Sequence, residues 1–101
     1  MFIIKLSKHD KYVHKLCEQI KGSYDTIDTH VTFENSKNRR IAEVDILAKK
    51  GATIDVYEVK CSYRVVKAKK QLKRIRRIIN ATQMNFFFFC GASSTLEEIV
   101  F

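Results

Sequence analysis

Apolar positions recur along the chain in two distinct periods. From Lys8 to Lys21, Val13, Leu16, Cys17 and Ile20 fall at i, i+3, i+4 and i+7, which predicts an amphipathic helix. Ser7 with Asp10 three residues later fits an N-terminal capping box, and Gly22 fits a C-terminal stop. Tyr24 to Glu34 alternates loosely through Ile27, Val31 and Phe33 and predicts a strand, followed by a polar turn over Asn35–Asn38. Ile41–Ala48 and Thr53–Cys61 predict two further strands. Lys49-Lys50-Gly51-Ala52 between them predicts a hairpin turn in which Gly51 supplies a positive φ. Val65, Ala68, Leu72, Ile75 and Ile79 mark a second helix over Arg64–Asn80. Met84–Cys90, with four consecutive Phe, is apolar at nearly every position. Such a run suits a strand covered on both faces and parallel to a neighbour across the intervening helix. Ser94–Phe101 predicts a last short helix capped by Ser93 or Ser94.

The hairpin gathers the candidate chemistry. With Gly51-Ala52 as its loop, Lys50 faces Thr53, Asp45 faces Glu58 and Glu43 faces Lys60. Strand alternation puts Glu43 with Asp45 on one face, and Glu58 with Lys60 on one face. Like charges directly opposite destabilise a sheet by a few tenths to about 1 kcal/mol. A divalent cation between Asp45 and Glu58 turns that repulsion into attraction. Two carboxylates with waters and phosphate oxygens suit Mg²⁺. Beside them, Lys60 can stabilise charge on a phosphate or help a water attack it. An ordinary surface pair between Glu58 and Lys60 is the structural alternative.

Composition narrows the partner. The 101 residues predict one domain spanning 1–101, and the 46% hydrophobic fraction excludes a disordered chain. No apolar run approaches the ~18 residues of a membrane span, and the opening MFIIKLSKHDKY is too short in apolar residues for a secretory signal core. Nineteen Lys+Arg against eleven Asp+Glu give a net charge of +8, which favours a polyanionic partner. The three cysteines, Cys17, Cys61 and Cys90, are widely spaced and odd in number, which points to a reducing, intracellular setting without a disulfide framework. His9, His14 and His30 read as surface polar residues.

Asp45, twelve residues, then Glu58-Val59-Lys60 resembles the D-(X)n-(D/E)-X-K signature of the PD-(D/E)XK, or restriction-endonuclease-like, nucleases. The flanking apolar residues in Val44–Ala48 and Val56–Lys60 fit as well. The order of elements is similar to that family's α/β core, a helix–three strands–helix–strand arrangement with a mixed central sheet. Within the family the chain looks closest to archaeal Holliday junction resolvases and RecB-type nuclease domains. The resemblance implies that Asp45 and Glu58 ligate Mg²⁺, with Mn²⁺ as a substitute and the Val59 carbonyl as a third ligand. It implies that Lys60 positions or activates the attacking water and that Glu18 takes the place of a first-helix glutamate ligand. Gln71, eleven residues after Lys60, resembles a glutamine found in RecB-like members. The activity so implied is Mg²⁺-dependent hydrolysis of DNA phosphodiester bonds, selective for branched or otherwise structured substrates.

The second helix strengthens the case for nucleic acid. Arg64, Lys67, Lys69, Lys70, Lys73, Arg74, Arg76 and Arg77 carry eight positive charges with no acid among them. Lys67, Lys70, Lys73, Arg74 and Arg77 are candidate phosphate contacts, and Arg39 and Arg40 extend the basic surface. The stripe lacks the large aromatics of a membrane-surface helix. A non-catalytic basic nucleic-acid-binding protein is the alternative, although acids near the bound phosphates would serve no purpose in it. An RNA-directed nuclease is a third possibility. Phe2-Ile3-Ile4 and Ile99-Val100-Phe101 at the two ends can complete one core or form the interface of a homodimer.

Overall fold

The computed structural model describes residues 6–79, 81 and 83–101. Helix α1 (Lys8–Ile20) starts at Ser7, whose hydroxyl accepts a hydrogen bond from the Asp10 amide. Its end is a 3₁₀ turn over Lys21–Ser23, so Gly22 lies within a helical turn and does not form a left-handed stop. Strands β1 (Thr26–Glu34), β2 (Arg40–Lys50) and β3 (Thr53–Lys60) form an antiparallel meander. Helix α2 (Val65–Ile78) then crosses over to β4 (Met84–Cys90), which runs parallel to β3. The helix ends at Ile78, with Ile79 already extended, short of the expected end at Asn80, which lies outside the described residues. The chain closes with β5 (Thr95–Ile99), antiparallel to β4. The result is a mixed five-stranded α/β sheet in the order β1-β2-β3-β4-β5, with one helix against each face.

β5 corrects the short helix expected over Ser94–Phe101. Leu96, Glu97 and Glu98 are helix formers, but the outer edge of β4 offers unpaired backbone groups, and Thr95–Ile99 satisfies them. Ser94 takes φ +54, the turn that reverses the chain rather than a helix cap. Ile99 is buried in the core, Phe101 packs edge-on to Phe86, and Val100 is exposed. Phe2-Ile3-Ile4, the other half of the expected terminal interface, lie outside the described residues.

Two cores sandwich the sheet. Ala68, Leu72 and Ile75 of α2 pack with Val44, Leu47, Val56, Phe86 and Phe88. Val13 and Leu16 of α1 pack with Ile46, Ala48, Tyr57, Val59 and Phe89. The consecutive phenylalanines alternate between the two, as a strand covered on both faces requires. Close packing reaches the loop after β4, where a Cβ on Gly91 would lie 2.2 Å from the Tyr12 ring of α1.

β1 and β2 do not keep strict alternation. Val31 and Phe33 pack on the α2 side but Ile27 on the α1 side, although odd positions of a regular strand share a face. Ala42 and Val44 face α2, whereas Ile46 and Ala48 face α1. Both strands switch faces at one row, where His30 lies across from Asp45 between the ladder pairs Thr29↔Ile46 and Val31↔Val44. His30 has φ +52, a left-handed conformation in mid-strand that histidine tolerates better than branched residues do.

Candidate functional site

The expected hairpin register holds from Lys50↔Thr53 to Ile46↔Tyr57. Gly51 supplies the positive φ at the turn, +57°, and its amide donates to Asp25. Beyond Ile46↔Tyr57 the ladder ends, so Asp45 and Glu58 are not ladder partners, and neither are Glu43 and Lys60. The cause is the face switch at Asp45, which breaks the pleat that backbone pairing needs. In place of a main-chain bond, the Asp45 carboxylate accepts a 2.8 Å hydrogen bond from the Val59 amide. Asp45 thus lies in the gap between β2 and β3.

Among the described residues, Asp45 and Glu58 are the only buried charged side chains, 6% and 5% exposed. They are within hydrogen-bond reach of each other. Burial pushes the Glu58 carboxyl up to about 8, and the Asp45 charge pushes in the same direction. Lys60 Nζ stands 3.4 Å from Glu58 Oε1 and only partly offsets this. At neutral pH Glu58 therefore keeps its proton, and a second positive charge would be needed to hold both carboxyls ionised. Ladder partners of Glu58 and Lys60 on β4 are Phe88 and Cys90, both in the α2-side core, which assigns Glu58 and Lys60 to that side. Gln71 belongs to α2 as well, and its Oε1 is sealed from solvent with no hydrogen-bond partner among the described residues. A buried acceptor of this kind calls for a donor or a water.

The α1 side adds residues that the sequence did not single out. His9 Nε2 donates to the Val59 carbonyl at 2.9 Å and lies 3.3 Å from Asp45 Oδ2. His30 Nε2 is 3.4 Å from Asp10 Oδ1, and its Nδ1 is 3.6 Å from Glu43 Oε1. His30, Glu43 and Asp45 each offer a ligand atom within 4.8 Å of the other two, a cluster able to chelate a metal. The first-helix side chain that meets Asp45 is His9. Glu18 is exposed and paired with Lys21 at 2.8 Å, which lowers its carboxyl below the usual range. The nine residues between His9 and Glu18 amount to about 180° of helical rotation, which points them to opposite sides of α1. A lone histidine in a first helical turn carries no periodic signal. Only the face switch at His30 and the register of Asp45 bring these residues together.

The donor set fits a divalent cation. His30, Glu43 and Asp45 supply one imidazole and two carboxylates within ligating distance of a common point, and Glu58 lies buried beside Asp45. The His30 imidazole is a donor that Mn²⁺ accepts more readily than Mg²⁺ does.

The basic positions are distributed unequally. Lys67, Lys70, Lys73, Arg74 and Arg77 are exposed on α2, the last four lining one shallow groove. Arg76 lies over the Phe101 ring at 5.4 Å. Arg39 and Arg40 are exposed beside β2, and Arg40 is partly engaged by Glu43 at 3.5 Å. No helix among the described residues is long and apolar enough to cross a membrane. Compared with known proteins, the chain matches no family model, no curated protein and no solved structure.

Proposed function

We propose that this protein is a metal-dependent endonuclease of the restriction-endonuclease-like type, hydrolysing DNA phosphodiester bonds at structured sites such as four-way junctions or flaps. One observation carries the proposal. Two carboxylates are buried against each other with a lysine beside one of them, an arrangement that costs stability unless a cation and a polyanionic substrate complete it. A helix–three strands–helix–strand order with β3 and β4 parallel supports the same reading.

In this reading Asp45, Glu58 and the Val59 carbonyl would hold Mg²⁺, or Mn²⁺ in its place. The bound cation supplies Lewis-acid polarisation of the scissile phosphate. His9 holds the Val59 carbonyl and Asp45 in place through its Nε2. Lys60 orients the attacking water and offsets negative charge while the water's oxygen bonds to phosphorus and its proton passes to solvent; the P–O bond to the leaving strand breaks and the leaving oxygen takes a proton from solvent. Gln71 offers its unpaired carbonyl to that water or to Lys60. Glu18, outside the cluster, has no assigned step. Lys67, Lys70, Lys73, Arg74 and Arg77 hold the DNA backbone, with Arg39 and Arg40 along the β2 edge. A homodimer would present two such sites, as paired cuts across a junction require.

The test is cleavage of labelled junctions, flaps, duplexes and single strands with Mg²⁺, with Mn²⁺ and with EDTA. Metal-dependent products that vanish in Asp45→Ala support the proposal. Salt-sensitive binding without products would instead make the protein a basic nucleic-acid-binding module.

A further inference from the structure

Three residues after Lys60, Tyr63 is held in an unusual way for an exposed aromatic. Its hydroxyl donates to Glu97 of β5, with both carboxylate oxygens at 2.8 and 2.9 Å. Its ring and that of Phe88 meet in a T-shaped pair, centroids 5.5 Å apart. Phe88 is the ladder partner of Glu58, so Tyr63 stands one side chain away from the buried carboxylates. Yet Tyr63 remains 56% exposed and Val66 beside it 66% exposed. The two line an open groove of about 580 Å³ together with Arg64, Val65, Lys67 and Lys70.

We propose that this groove takes one unpaired nucleotide of the substrate strand, its base stacked on Tyr63 and its flanking phosphates held by Arg64, Lys67 and Lys70. This deepens the nuclease proposal and rests on it for the identity of the strand. Aromatic faces interleaved with cations are how proteins grip single strands, since every base has a face to stack. A ring already fixed at its hydroxyl and against Phe88 loses little freedom on binding. Duplex DNA hides its base faces, so the exposed ring and Val66 would give it nothing beyond the phosphate contacts that the cations already make. Glu97 repels phosphate, and its hold on the Tyr63 hydroxyl leaves the cationic side, toward Lys67 and Lys70, for the backbone. The preferred substrate class is therefore DNA with an unpaired nucleotide next to the cut, as in a flap or a branch.

The test uses metal-free protein in EDTA and a short oligothymidine carrying one 2-aminopurine, alone or annealed into a blunt duplex. Wild type and Tyr63→Phe should quench the probe in the single strand and not in the duplex. Tyr63→Leu should weaken single-strand binding about tenfold and leave duplex binding unchanged. Arg64→Gln with Lys67→Gln should keep the quench and lower the salt slope of log K by about one to two. Absence of quenching by wild type, equal losses on both substrates, or an unchanged salt slope would overturn the proposal. Asp45→Asn separates the two proposals, because it should quench as wild type does whether or not any cleavage is found.

Discussion

The two ends of the β2–β3 ribbon each hold an aspartate, half-buried at the turn end and buried at the open end, and they treat it in opposite ways. At the turn end, Asp55 is a ladder partner of Ala48 and accepts hydrogen bonds from the Tyr24 hydroxyl and, at 2.9 Å, from Asn85 Nδ2. Tyr24 also bonds the Tyr57 hydroxyl, so neutral donors tie β1's approach, β3 and β4 together. At the open end the ladder stops, and Asp45 meets one backbone amide, a histidine and a second buried carboxyl. The first arrangement is satisfied by the protein alone. The second is not, because Glu58 is held protonated against Asp45, and a cation that displaces its proton would answer the strain. The contrast teaches that burial of an acid marks a site only when its partners fail to neutralise it.

The largest test of the contrast is substitution of each aspartate. Asp45→Ala should lower metal-dependent cleavage about a thousandfold or more, read as single-turnover rate, with the far-UV CD of the fold retained. Asp55→Ala should instead leave the cleavage rate near wild type and cost about 1–3 kcal/mol in urea unfolding, because it strands the tyrosine and asparagine donors. A similar loss of cleavage in both would erase the distinction.

Next in size is the response to pH. The Glu58 carboxyl sits near 8 in the folded protein against an ordinary 4.5, because burial and Asp45 disfavour its charge. Between those values the unfolded chain has released a proton that the folded one keeps. Stability of the metal-free protein should therefore fall as pH rises from about 4.5 to 8. Glu58→Gln should flatten that slope in thermal unfolding and be more stable than wild type at pH 8. A wild-type stability that climbs through this window would contradict the assignment.

The smallest expected effect is Tyr24→Phe, which should cost about 1 kcal/mol of stability and leave metal binding unchanged.

Much of the ribbon was legible in the sequence. Apolar-rich stretches set both strands, Gly51 fixed the loop and hence the register as far as Ile46↔Tyr57, and the all-apolar run over Met84–Cys90 announced a strand covered on both sides. Asp45, Glu58 and Lys60 were placed together by that register, although they meet through a gap and not across a ladder. The face switch was not legible, because a left-handed histidine leaves no mark on hydrophobic spacing. Without it neither His9 nor His30 can be connected to Asp45. β5 was misread for a different reason: an unpaired sheet edge outweighs the helical preference of Leu96, Glu97 and Glu98, and that edge exists only once β4 is in place.

Calorimetric titration of the wild type and Glu58→Gln with Mg²⁺ and Mn²⁺ tests the central claim most directly, since it needs no guess at a substrate. The account predicts a saturable heat with proton release for the wild type at pH 7, as the cation displaces the Glu58 proton into the buffer, and loss of most of that affinity in Glu58→Gln. Equal isotherms for the two proteins, or no binding by the wild type at millimolar metal, would contradict it.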